Sequence, residues 1–271
     1  MNANWWDILA AGLSGGIVVK LLDYGYAEYK RRSEVSKSAN ELVNRHIDPI
    51  LKAADEIVGK IRSLAQSDFR EIGQKMKDDP DSAMPLLEIV FLIGQFWARI
   101  QVLRMESIYL NLASNKIGRR LLLFIRALEA SRTRLVDRAW QRGIGEALIE
   151  RVENGFRAMN YYEFIEKYSS SDQFKKWFHP IMEILNRIKH TNVRQRLLVY
   201  GVILHALVDA LDEKHLVSGD RPGWANKLSV KSQKELRFRI FKVYLPFVKS
   251  PERYYKISRK EARKTEAPVE V

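Results

Sequence analysis

The chain has 271 residues, 46% of them hydrophobic and 29% charged, with a net charge of +13 and no cysteine. That length and polarity suit a chain with a proper core, in one large domain or two small ones, and exclude outright disorder. The missing thiols exclude a disulfide scaffold, a cysteine nucleophile and any cysteine-ligated zinc or iron–sulfur site.

The first stretch, Trp5 to Arg32, reads as an N-terminal membrane anchor. Trp5 and Trp6 open it, an almost uncharged run follows from Ile8 to Leu22, and Tyr24, Tyr26, Tyr29 and Lys30-Arg31-Arg32 close it. At ~1.5 Å per residue, Trp5 to Leu22 spans ~27 Å of helix, close to a ~30 Å hydrocarbon core. Aromatic rings at both edges suit the headgroup level, and Lys20 can extend its amine toward the tyrosine side. The basic cluster follows the span, which orients it N-out and C-in. Gly12 and Gly16 form a small-xxx-small pair that lets two such helices approach, a route to a homodimer. The strictly uncharged part, Ile8 to Val19, also has the length of a buried core helix. A cleaved signal peptide fits worse, because no basic n-region precedes the run.

Beyond the anchor the periodicity is helical almost throughout. The expected organisation is an anchor over 1–32, a helical stalk over 33–47, a multi-helix cytoplasmic domain over 48–245 and a basic tail over 246–271. Asp48-Pro49 predicts a helix start, with Ile50, Leu51, Ala54, Ile57, Val58, Ile61 and Leu64 on one apolar face. Residues 77–82 predict a surface turn. Pro85 opens a helix toward Ala113, apolar nearly all round from Ile89 to Ala98, which predicts a core helix or a second membrane element.

A helix over Ile117 to Arg138 is predicted next, with Leu121, Leu122, Ile125 and Leu128 inward and several arginines outward. Gly143 and Gly145 predict a break, and 144–159 a short amphipathic helix. Asn160 and Asp172 are candidate caps for the next two helices. The aromatics between Phe156 and Phe178 suit a core or packing surface better than base stacking. A helix over Asn192 to Asp212 is apolar from Leu197 to Leu211 except at His205 and Asp209. After a loop at 218–223, a last helix runs from Ser232 to Leu245 and stops at Pro246. The expected class is all-α.

Catalytic signatures are weak. Gly12-Leu13-Ser14-Gly15-Gly16 matches the nucleophile-elbow string, but the elbow needs a strand before it and a helix after it. His205 and Asp209, four apart, would share a helix face as an acid–base pair or two metal ligands; a histidine satisfied by its carboxylate neighbour is the plainer reading. No H-E-x-x-H, P-loop, G-x-G-x-x-G or Arg-x4-His pattern occurs. No cofactor, metal ligand set or catalytic residue is therefore assigned.

The positive charge is concentrated. Lys116 to Arg142 carries eight basic residues against Glu129 and Asp137, and Lys227 to Lys264 carries thirteen against Glu235, Glu252 and Glu261. A localised excess points to a polyanionic partner. In the second segment cations and large apolar groups interleave, and Arg237, Arg239, Lys242, Arg253, Lys256, Arg259 and Lys260 are the candidate anion contacts. Such a basic, aromatic segment suits anionic lipid headgroups, an acidic protein partner or the phosphates of nucleic acid. It equally suits a solvated last helix packed on the domain.

The layout resembles that of many bacterial membrane proteins, a likeness of organisation that implies no site residues. The expectation is a single-pass protein of a bacterial-type inner (plasma) membrane whose cytoplasmic domain is a scaffold or partner-binding module. The alternative is a soluble helical protein that binds nucleic acid through the two basic segments.

Overall fold

The computed structural model describes residues 17–73, 84–153, 155–224 and 227–256, and these are mostly helical. The helices are α1 (Ile17–Gln66), α2 (Arg70–Gly73), α3 (Met84–Glu106), α4 (Lys116–Leu128) and α5 (Arg138–Ala147), then α6 (Tyr161–Ser170), α7 (Asp172–Asn186), α8 (Thr191–Leu211), α9 (Val230–Glu235) and α10 (Glu252–Tyr255). A two-stranded antiparallel hairpin, β1 (Ile149–Val152) and β2 (Gly155–Ala158), separates α5 from α6.

Two helices dictate the arrangement. α3 and α8 are buried around most of their circumference, which in water requires other elements on every side. α1 lies against both. α3 runs antiparallel to it, tied by Lys60–Glu88 at 2.7 Å near one end and His46–Glu106 at 2.9 Å near the other. α8 is antiparallel to it as well, with Arg194–Asp68 at 2.9 Å at one end and Gly201 seated on Ile61 further along. Between α3 and α8 the Trp97 indole donates to the Tyr200 hydroxyl at 2.9 Å, a buried polar link across the core. α3 is long and apolar enough to cross a membrane, yet most of it lies inside the domain.

Several expected boundaries move. Pro49 sits inside α1 and starts nothing. An internal proline forfeits a backbone hydrogen bond and costs about 3 kcal/mol. Here the helix holds because Leu42, Val43 and Ile47 on its upstream side are buried, each contributing about 1.5–3 kcal/mol. Buried side chains on α1 therefore start at Ala39 among the described residues, within the stretch expected as a stalk. Before Ala39 the described side chains from Asp23 onward are exposed, apart from the half-buried Glu28 and Ser36.

The helix expected over 117–138 ends at Leu128. The Thr133 hydroxyl donates to the carbonyls of Ala127 and Ala130, satisfying groups that the helix end leaves open, and Asp137 caps a new helix at Ala139 N. Gly143 and Gly145 lie inside that helix and break nothing. Gly145 lets the α5 backbone approach that of Trp97, where a Cβ would stand 2.9 Å from its carbonyl, and Gly143 makes room for the Trp177 ring. The helix expected over 144–159 is mostly hairpin. Gly155, at φ +134°, supplies a backbone geometry that L-residues rarely adopt, and Val152 pairs with Gly155 across the turn. Asn160 caps α6 in a reciprocal capping box with Glu163, as its position predicts, while α7 is capped by Ser171 and runs through Pro180 without restarting.

The last expected helix is α9 followed by a π-helical turn, Leu236–Phe241. Beyond it, residues 246–256 are no free tail. Val248, Tyr254 and Tyr255 are buried, and the Tyr254 ring stacks on Phe241 at 5.7 Å. The aromatic cluster after Phe156 is core: Phe164, Phe174 and Phe178 are buried and in mutual ring contact. The turn expected at 77–82 lies outside the described residues.

A continuous α1 makes one mutational prediction. Pro49→Ala restores a mid-helix hydrogen bond and raises stability by about 1–3 kcal/mol in urea denaturation. A proline at a first helical position would instead make the exchange neutral or harmful.

Candidate functional site

Two places draw together the residues singled out by sequence. The first is basic. α4 and the segment after Lys227, far apart in the chain, pack side by side: the Phe124 and Phe247 rings meet edge-on at 5.5 Å and Arg120 lies 5.6 Å over Phe247. Arg132 reaches Glu235 at 3.7 Å. Both charge-rich segments thus belong to adjoining parts of one domain.

Within the second segment the π-helical turn buries Leu236, Ile240 and Phe241, which turns Arg237, Phe238 and Arg239 outward. Lys242 and Val243 follow, also exposed. The Arg237 guanidinium rests 4.8 Å over the Phe238 ring, which itself is 51% exposed. Arg237, Arg239, Lys242 and Lys256 form no ion pair among the described residues and remain open to an anion. Arg253 differs: it pairs with Asp209 at 2.8 Å and with Asp220 at 3.6 Å. Arg259 and Lys260 lie outside the described residues.

Of the anchor set, Trp5, Trp6, Gly12 and Gly16 lie outside the described residues. Lys20, Tyr24, Tyr26, Lys30 and Arg31 stand on the exposed early turns of α1, Tyr24 being 81% and Tyr26 70% exposed, and Arg31 pairs with Glu28 at 2.9 Å. Arg32 continues the same helix.

The second place is the polar cluster around His205. His205 and Asp209 do share a face of α8, but their nearest polar atoms are 3.6 Å apart, too long for a hydrogen bond. Each has found other partners. The Trp224 indole donates to His205 Nδ1 at 3.0 Å, which leaves the proton of a neutral ring on Nε2. The Tyr254 hydroxyl donates to Asp209 Oδ2 at 2.9 Å, the same oxygen that Arg253 engages. Burial pushes the His205 ring down to about 4, opposed by Asp209 and reinforced by Arg253, Arg62 and Arg221. Burial, together with Asp209, drives the Tyr254 phenol far up, so it serves as a donor only.

Around this centre the loop after α8 is stapled down. Asp212 accepts from the backbone N–H of Leu216, Val217 and Ser218 and from the Ser218 hydroxyl; burial opposes its ionisation, and these four bonds together hold its carboxyl below the usual range. Arg221 forks onto Asp55 of α1 with two bonds of 2.8 Å. Trp224 N donates to Tyr254 O at 2.9 Å, and Gly223 permits that approach because its Cα side abuts the Arg253 carbonyl. The arrangement binds the C-terminal segment to α8. Chemically it is a structural lock: His205 is buried to 1% exposure with its basic nitrogen already occupied. No group of metal-ligating side chains suited to an ion occurs among the described residues.

Sequence reasoning found His205 and Asp209 but missed Trp224, Arg253 and Tyr254 as their partners. No periodic or local signal links positions separated by a loop and a helix. Compared with protein-family models, with curated proteins and with solved structures, the chain matches none.

The neutral, buried His205 sets a pH dependence. The unfolded ring takes up a proton near its ordinary value of 6.5, while the folded ring refuses it until about 4. Stability contributed by this site is complete above that ordinary value and is lost as pH falls toward 4, by about 3 kcal/mol in all. Denaturation curves at a series of pH values should show this decline, and His205→Gln should flatten it. An unchanged slope in the variant contradicts a neutral buried ring.

Proposed function

We propose that the chain is a single-pass, N-out/C-in protein of a bacterial-type inner (plasma) membrane, carrying a helical scaffold domain that binds an acidic protein partner through its C-terminal basic turn. The observation that carries the reading is the first part of α1. From Asp23 to Ser38 it is helical, and among the described residues no other element covers its exposed side chains, Tyr24, Tyr26 and Tyr29 among them. An isolated exposed helix of that kind has little tertiary support. Continuity with a lipid-embedded stretch on one side and the core on the other supplies it.

Distance favours a protein partner over lipid at the basic turn. From Leu22, the end of the apolar run, to Ala39, the first buried position among the described residues, α1 rises ~26 Å. α4 begins beside that level, since Asn115 donates to Asn40 at 2.6 Å, and it leads away from the anchor. Arg237 to Lys242 follow Glu235, which meets Arg132 beyond the far end of α4. A bilayer at the base of an upright stalk lies several Debye lengths of ~8 Å away, so its surface charge is screened at that height. An acidic partner, free to approach from the cytoplasm, is not limited in this way. Exposed Arg237 over Phe238, with Arg239 and Lys242 beside it, offers a polyanion both charge and a ring.

Two measurements test the reading. Alkaline carbonate washing should leave the full-length chain in the membrane pellet, and a reporter behind Arg32 should face the cytoplasm; release into the supernatant overturns the anchor. In the purified full-length protein, Arg237→Glu with Arg239→Glu and Lys242→Glu should weaken binding to polyglutamate by about tenfold or more at low salt. Equal loss of binding to duplex RNA at higher affinity would favour a nucleic-acid partner, and equal loss on phosphatidylserine vesicles would favour lipid.

A further inference from the structure

The tryptophans among the described residues divide sharply. Trp97 and Trp224 are buried, whereas Trp140 and Trp177 are each 41% exposed. These two stand together, their rings meeting edge-on at 5.7 Å. Indoles are highly buried on average, so an exposed pair on adjoining helices calls for a reason. The pair is also held in place. The Trp177 ring of α7 lies across Gly143 of α5, where any side chain would push it away.

Free positive charge flanks the rings. Lys176, just before Trp177, is exposed, and so is Arg142 on α5. Neither forms an ion pair among the described residues, because the nearby carboxylates are engaged elsewhere. Arg134 holds Asp137 at 2.8 Å, Lys175 holds Asp172 at 2.9 Å, and the Gln101 amide donates to Glu146 at 2.9 Å. At ~100° per residue, Arg142 lies across the outward stripe of Ala139 and Gly143 from Trp140. Those small residues leave a low floor between the rings and the guanidinium. Arg142 also closes the first basic segment, which the C-terminal turn does not account for.

Exposed indoles suit a bilayer interface, a protein partner or stacked bases. α5 meets α3 at Trp97, midway between the tie of Glu88 to Lys60 and that of Glu106 to His46. That level is ~45 Å along α1 from Leu22, out of reach of a bilayer around an anchor ending there. An acidic peptide would use the cations and leave the rings idle. Rings and unpaired cations together match a chain that carries a flat aromatic group and a negative charge in every repeat, a single nucleic-acid strand. In a duplex the base faces are already stacked on one another, and the grooves present only their edges.

We propose that Trp140 and Trp177 form a platform for single-stranded nucleic acid, bases stacking on the free indole faces while phosphates meet Arg142 on one side and Lys176 on the other. The platform is independent of the membrane anchor and of any partner at the basic turn. With the ring planes 68° apart, a base lying flat on one indole meets the edge of the other. Stacking serves every base alike, and the phosphate contacts make the affinity fall with salt.

The test uses the full-length protein and fluorescein-labelled oligouridine, with its oligoadenosine duplex and polyglutamate as comparisons, read by fluorescence anisotropy at low salt. The single strand should bind saturably. Trp140→Ala should weaken it about tenfold, the order of one base–aromatic stack, and leave the duplex and polyglutamate unchanged. Arg142→Ala should lower the affinity and reduce the slope of log affinity against log salt by ~0.7, one phosphate contact on a single strand. Trp177→Ala should act as Trp140→Ala does; should it fail to fold, the exposed changes at Trp140 and Arg142 decide. Trp140→Ala should cost the same factor when combined with Arg237→Glu, Arg239→Glu and Lys242→Glu, so the platform and the partner at the basic turn fail separately. Absence of saturable strand binding, strand binding indifferent to Trp140→Ala or to Arg142→Ala, or equal weakening of the duplex or of polyglutamate by Trp140→Ala overturns the proposal.

Discussion

A helix with no polar side cannot lie on a surface. α3 and α8 both have this character, and placing two such rods in water leaves little freedom for the rest of the chain. Each must be surrounded, and each must also find something to say to the other, which the Trp97–Tyr200 hydrogen bond supplies. α1 covers one side of the pair, α4 flanks α8, and α5 with α7 closes over α3, where Gly94 admits Leu148 and Phe178. The hairpin and the C-terminal segment cover what remains.

The C-terminal segment illustrates how polar groups serve the same end. Its return over α8 would bury Asp209, a cost that burial alone could not meet. Tyr254 and Arg253 arrive on the same short helix and both engage Oδ2 of that carboxylate, while Trp224 donates to Nδ1 of the neighbouring imidazole. Register follows from this. A segment displaced by one residue in either direction would no longer present both a hydroxyl and a guanidinium to that carboxylate. The lock therefore specifies where the last described residues sit more sharply than apolar contact would. It also removes Arg253 from the set of cations that an external partner could use.

Much of the helical architecture was legible in residue spacing. The apolar stripe of Ile50, Ile57, Ile61 and Leu64 is in the core, the two all-apolar helices form its centre, and Asn160 caps where its position implied. What spacing could not reveal was set by tertiary contacts. Pro49 carries a start signal that buried neighbours override, and the glycines at 143 and 145 look like punctuation until the Trp97 backbone and the Trp177 ring are placed against them. Gly155, after Asn154, was the one local signal available and overlooked, since an Asn-Gly pair between short apolar runs favours a tight hairpin. Only the fold, likewise, shows that Gln141 Nε2 lacks a hydrogen-bond partner while the Gln101 amide on α3 has one.

The unbroken course of α1 has a geometric corollary. A rod that passes without a hinge from an exposed section into a packed core couples the two in angle as well as in distance. Each residue added between Asp23 and Ser38 would turn everything beyond it by ~100° and advance it by ~1.5 Å, whereas seven together nearly restore the original bearing. The compass heading of the basic turn about the rod's axis is thus written into the number of residues in that section, not into their identity.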